Sequence, residues 1–287
     1  MKRIVNKIID ICGFLLVCLC AGILSFPFIT IFINSLEYPG QIINAYYSGN
    51  AVSSFQYIPE MLSGRQYMDA LFWNREYINS MINSLLYTCP VVVLQLCIAI
   101  PAAFGLGVYC RKGRKFVLFI LLLFMLIPYQ AVEIPIYMFM RNLGLTGTGW
   151  AMILPNLFQP FPLVVLTFLV SSIDREYLEA AKIDGASPFI LLWKIIIPQI
   201  VSGILIVFLL QFIDIWNMTE QPLIFLEKIS EMPLSVLLPE LTGKSPGSAF
   251  GFSMVFLMPP VLLYASFHKE IEQTLTDRIQ SATGRYI

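Results

Sequence analysis

The sequence predicts an all-α integral membrane protein with six transmembrane helices. Three observations carry that reading. Of 287 residues, 57% are hydrophobic and only 13% are charged. The apolar residues gather into six runs, each long enough to cross a bilayer. The runs are nearly continuous and lack the strict alternation of a barrel strand. A mean hydropathy of +0.76 is more apolar surface than a soluble domain of this length needs.

The first run, near 11–33, follows Lys2, Arg3 and Lys7. It is too long for a signal-peptide core and shows no small-x-small cleavage site. Val17 and Leu19 precede Cys18 and Cys20, where a lipoprotein site wants a small residue. The run therefore reads as a retained span. A loop from Glu37 to Asn83 follows, broken by Pro39, Gly40, Gly49 and Gly64. Its aromatic residues Tyr46, Tyr47, Phe55, Tyr57, Tyr67, Phe72 and Trp73 suit a membrane–water interface. The remaining runs lie near 84–109, 116–139, 150–171, 199–218 and 249–267.

Charge sets an expected orientation. With the N-terminus inside, the cytoplasmic segments hold 13 of the 18 Lys and Arg residues. The excess places both termini in the cytoplasm. The six cysteines fall in spans or at their inner edges, where they read as small buried hydrophobes. No phosphate-binding GxxxxGK[ST] loop occurs, so the chain holds no ATPase site of its own. One histidine, His268, gives no metal-ligand pattern. No basic-aromatic stripe suits nucleic acid, and no reactive cluster suits an intramembrane enzyme.

Between the fourth and fifth runs lies the one well-mixed polar stretch, 174–198. It reads as two short helices joined by a sharp turn. Leu178, Ala180 and Ala181 favour the first helix. Gly185 sits where a helix ends, because glycine takes positive φ without steric cost. Ser187 offers a cap to a second helix, Phe189 to Ile197, with Pro188 at its first position. Pro198 is expected to stop or kink that helix.

The run Glu179, Ala180, Ala181, Asp184, Gly185 and Ala186, with Pro198 thirteen residues after Gly185, resembles the EAA loop of binding-protein-dependent ABC importer permeases. Weaker matches order themselves around it. Asn83-Ser84 resembles the NS pair where span two begins. Ile127-Pro128, Ile134-Pro135, Leu143 to Thr146 and Ile153 to Pro155 resemble the carbohydrate branch, as do Gln211-Phe212, Trp216-Asn217 and Pro222-Leu223. The likeness covers about 77–225, within a single permease domain over 1–287. It is to the shorter, MalG-like permease of the maltose type. The tail, DRIQSATGRYI, and Glu133 depart from that pattern.

The resemblance implies a cytoplasmic coupling helix that docks in an ATPase cleft. It implies a second, MalF-like permease, an ABC ATPase dimer that binds ATP and Mg, and an extracytoplasmic solute-binding protein. The solute would be a sugar or oligosaccharide, and the site the plasma membrane of a prokaryote. No cofactor is expected on this chain.

Two ionisable residues fall inside spans, Glu133 and Asp214. A charge facing lipid is costly, so each is expected to face a bundle interior or a wet cavity. Sugars present C–H faces for aromatic rings and hydroxyls for polar partners. Tyr129, Glu133 and Tyr137 are spaced four apart, on one helical face, and are candidates to line a translocation path. Phe212 and Trp216 would border it. The same residues also read as helix-packing groups. A proton-coupled secondary transporter using Glu133 or Asp214, and an ABC permease for another solute, stay open at this point.

Overall fold

The computed structural model describes the backbone of residues 2–47, 59, 61–110 and 112–283, and the side chains of 11–44, 59, 61–110 and 112–272. Phe55 and Tyr57 lie outside the described residues, and the side chains of Tyr46 and Tyr47 do too. Among the described residues, five helical stretches are long and apolar enough to cross a bilayer, and a bent pair makes a sixth if taken as one span. Among the described residues the only extended pairing is an isolated bridge between Glu37 and Leu62. The chain divides into two compact units: Met1–Asn79 with Leu237–Met258, and Ser80–Val236 with Pro259–Ile287.

In the first unit the stretch Ile11–Ser35 of the helix Lys2–Ser35 is apolar nearly all round. Its most apolar window is only 6% buried, so the chain itself covers almost none of it. Such a helix is stable where lipid or another apolar helix surrounds it. The unit is fastened by Gln66, which is fully buried. Its Nε2 donates to the carbonyls of Asn34 at 2.7 Å and Glu37 at 2.9 Å, and its Oε1 accepts from the Gly251 amide at 2.9 Å. A Cβ on Gly251 would stand 2.5 Å from the Gln66 Cβ, so only glycine lets the backbones approach this closely. Tyr77 stacks on Phe252 at 4.7 Å and donates its hydroxyl to the Phe252 carbonyl.

The second unit holds the larger core. Leu96, Ala103, Leu166, Val170, Leu191, Ile196, Ile200 and Val207 pack together from three spans. Gly203 lets the fourth and fifth spans meet, since a Cβ there would lie 2.2 Å from Leu169 Cδ1. Small residues at such crossings are how apolar helices gain contact without a hydrophobic driving force. Asn83 and Ser84 lie two turns inside a helix that begins at Arg75, rather than where the span starts. Asn83 donates to the carbonyls of Ser230 and Met232, and Ser84 Oγ accepts from the Leu234 amide. The pair thus ties the second span to the segment after the fifth.

Two spans depart from the sequence expectation. The run 116–139 is not one helix. Arg114–Met125 and Tyr129–Asn142 meet at 92°. The cause is Pro128, which disfavours helix at Ile127 and is itself extended, with ψ 139°. The fifth span starts at Pro188, not near 199, and runs unbroken to Trp216. Pro198 neither stops nor sharply kinks it, because a π-helical turn, Leu191–Ile196, precedes it. In that wider turn the Ile197 amide reaches back to the Leu192 carbonyl, which relieves the clash a proline makes in a regular helix.

The fourth span is built in pieces: Trp150–Ile153, a 3₁₀ turn Leu154–Asn156, and Pro160–Ser171. Pro155 and Pro160 remove the backbone donors that would continue a single helix.

Candidate functional site

Two constellations stand out in the second unit. The first is the polar turn. Helix Arg175–Ile183 buries Leu178 and lays Ala181 and Ala186 against the core. It ends in a Schellman motif. Gly185 takes φ +81°, its amide donates to the Lys182 carbonyl at 3.1 Å, and the Ala186 amide donates to the Ala181 carbonyl at 3.0 Å. Ser187 Oγ then accepts from the Ile190 amide at 3.4 Å and caps the next helix, with Pro188 at its first position. Glu179, Ala180, Asp184, Gly185 and Pro198 are all exposed. So are Tyr177 and Ile183, the latter at 86%.

The second constellation is a chain of buried amides. Gln211 Nε2 donates to Gln95 Oε1 at 2.9 Å, and Gln95 Nε2 donates to the Asn156 carbonyl at 2.5 Å. Asn156 Nδ2 donates to Gln221 Oε1 at 2.5 Å and to the Met152 carbonyl at 2.8 Å. The break in the fourth span is what frees the Asn156 carbonyl for Gln95. Broken backbone at membrane depth is tolerated where side chains of the protein satisfy it, as here.

Beside this chain, Tyr129, Glu133 and Tyr137 share one face of Tyr129–Asn142 and are half-buried. The Tyr129 hydroxyl and Glu133 Oε1 are buried oxygens without a hydrogen-bond partner. Gln221 approaches the Tyr129 hydroxyl without completing a bond to it. Gln130 donates to both carboxylate oxygens of Glu220, at 2.9 and 3.0 Å. Tyr137 packs against Phe225, centroids 6.0 Å apart. The site therefore offers unspent hydroxyl and carboxylate oxygens, amides and aromatic faces together.

Phe212 and Trp216 lie elsewhere in character. They stack at 5.6 Å and 14°, and are 3% and 1% exposed. Within this chain they are core. Asp214, between them in sequence, is exposed on the opposite face of the same helix. Sequence reasoning missed Gln95, Asn156, Gln130, Glu220 and Gln221 as a group. The available signal was polar amides within or beside apolar spans, which need internal partners.

Residues 95–268, more than half of the chain, match the family described as the binding-protein-dependent transport system inner membrane component. The chain is 28% identical over 256 residues to Protein LplC of Bacillus subtilis, covering 89% of this chain and 83% of that one. It is 27% identical over 197 residues to the arabinooligosaccharides transport system permease protein AraQ of Halalkalibacterium halodurans, covering 68% and 71%. It is 24% identical over 285 residues to the lactose transport system permease protein LacG of Rhizobium radiobacter, covering 98% and 100%. Its fold is similar, with a TM-score of 0.75 over 92% of this chain and 96% of the other at 24% identity, to a bacterial ABC transporter involved in import of the acidic polysaccharide alginate. The chain is a multi-pass membrane protein and belongs to the family of binding-protein-dependent transport system inner membrane components.

Proposed function

We propose that this chain is a permease subunit of an ATP-driven importer for sugars or oligosaccharides. The observation that carries the coupling reading is the Schellman-turned helical knob, with its bare Tyr177 and Ile183, set directly on a span that reaches Trp216. The knob docks on a separate ABC ATPase dimer, which binds ATP and Mg. This chain performs no catalysis of its own. A second, MalF-like permease completes the path, and an extracytoplasmic binding protein delivers the solute. Both termini and the 174–198 turn lie in the cytoplasm. Relatives named for arabinooligosaccharides and lactose support the sugar class.

In this reading Tyr129, Glu133 and Tyr137 face the passing solute. Sugar hydroxyls meet the free oxygens of Tyr129 and Glu133, and C–H faces meet the Tyr137 ring. The amide chain from Gln211 to Gln221 holds the broken fourth span in place behind them. Phe212 and Trp216 form the packed wall behind that chain.

Two experiments test this. Glu133→Gln keeps size and hydrogen bonding but removes charge. Uptake by the assembled transporter is expected to fall by less than about tenfold, the value of roughly one hydrogen bond. Complete loss, in cells whose uptake follows a proton gradient and ignores ATP depletion, would overturn the ATP-driven reading. Topology is tested by single cysteines in a cysteine-free background. A cysteine replacing Ser230 is expected to label from outside, and one replacing Lys182 only after permeabilisation. External labelling at 182 would remove the knob from the ATPase side.

A further inference from the structure

Behind the polar turn lies a small cavity of about 70 Å³, with room for more than one water. Its lining includes Gly107 at the end of the second span and Val170 and Ser171 at the end of the fourth. Gly107 and Val170 press together, since a Cβ on Gly107 would lie 2.6 Å from Val170 Cγ1. The floor is therefore fixed by span packing rather than by a loose loop.

The charges around it are unbalanced. Arg114, Arg175 and Lys182 line the cavity against the one carboxylate of Glu179. Arg114 already has work: it donates to the Gly107 carbonyl at 3.2 Å and to Ser171 Oγ at 2.9 Å, bridging the ends of the second and fourth spans. Among the described residues, Arg175 and Lys182 have no carboxylate oxygen within ion-pairing distance. The Lys182 ammonium sits 5.3 Å from the ring centre of Tyr109, which holds it near the end of the second span. Three cations against one carboxylate around a small cavity repel one another, and an anion there relieves the repulsion.

We propose that this cavity binds a phosphate oxyanion between Arg175, Lys182 and the fixed guanidinium of Arg114. Tetrahedral oxygens suit such a cluster because a guanidinium offers paired donors and an ammonium offers a point charge. The cavity lies where the second and fourth spans end, the part of a span that meets the headgroup layer of a bilayer. Basic pockets between spans on the cytoplasmic side are where anionic lipid headgroups dock. A lipid phosphate and a free inorganic phosphate share the chemistry, and the experiment separates them. The site stands whether or not the neighbouring turn meets an ATPase.

The test uses the assembled transporter, purified in detergent through a tag on this chain. In one arm it is incubated with phosphatidylglycerol or with phosphatidylcholine, and retained lipid is counted by native mass spectrometry. In the other arm inorganic phosphate is titrated while thermal unfolding is followed. Wild type is expected to retain phosphatidylglycerol over phosphatidylcholine if a lipid is the source, or to be stabilised by phosphate if the free ion is. Arg175→Gln with Lys182→Gln is expected to weaken the effect about thirtyfold, at roughly fivefold per basic residue. Lys182→Arg in the otherwise native chain is expected to keep it, which separates lost charge from lost fold. Equal behaviour of wild type and the double variant in both arms would overturn the proposal. Loss of the ATPase subunit from the double variant, with lipid and phosphate binding unchanged, would overturn it too and make these cations docking groups.

Discussion

Replacing Gly185 with valine is expected to abolish uptake while leaving the chain in the membrane. Gly185 holds φ +81°, and nothing lies within 4 Å of where its Cβ would stand. The penalty is therefore one of backbone, not bulk. A left-handed conformation costs a non-glycine residue about 1–2 kcal/mol, and a β-branched one more. That sum does not unfold a membrane bundle. It is enough to exchange the Schellman turn for another, because the two amide bonds to the Lys182 and Ala181 carbonyls depend on that φ. The short helix then leaves its seat on Leu178 and re-aims Tyr177 and Ile183. Gly185→Asn tolerates the left-handed region better and is expected to retain part of the uptake. The measurement is uptake of labelled oligosaccharide, beside an immunoblot for membrane level and co-purification of the ATPase. Wild-type uptake in the valine variant would show that the turn does not aim the knob.

The largest stability loss is expected at Gln66→Leu. Leucine matches much of the glutamine's volume, yet the Glu37 carbonyl loses this donor and the Gly251 amide loses its acceptor, while the Asn34 carbonyl keeps only the bond from the Glu37 amide at 3.2 Å. Losing a buried partner costs about 1–3 kcal/mol per group, so the two groups most affected, the Glu37 carbonyl and the Gly251 amide, sum to about 2 kcal/mol or more. Water cannot enter to compensate, since Gln66 is fully buried and Gly251 is packed against it. Thermal unfolding of the purified complex is expected to shift down by several degrees, with lower yield. An unshifted transition would mean that other contacts, such as Tyr77 on Phe252, hold this unit without Gln66.

The spans were legible because hydropathy is summed over many residues and tolerates local error. The polar turn was legible because its signals are local: Gly185 needs positive φ, and Ser187-Pro188 starts a helix. The two errors share one cause. A proline's effect depends on its neighbours. Pro128 breaks its span because no wider turn precedes it, while Pro198 is absorbed by the π turn Leu191–Ile196. The amide chain was hidden for a different reason. Gln95, Asn156, Gln211 and Gln221 lie on four separate helical elements, and only the packing of those elements reveals the bonds that link them. The packing of Phe212 on Trp216 likewise follows from a neighbour's position, not from spacing alone.

The π turn before Pro198 has a mechanical consequence. Because it spares the helix a break, the stretch Pro188–Trp216 is a single beam of 29 residues, about 40 Å long. One end carries the glycine turn, and the other carries Trp216 in the core. A beam does not dissipate a push as a hinge does. A tilt of about 10° about one end carries the other through about 7 Å, by the length of the helix alone. Were Pro198 a hinge, the same push at the turn would fold the beam on itself and die within two turns. Under the proposed function, a push on the turn would reach the amide chain only as far as six residues, Leu191 to Ile196, resist bending.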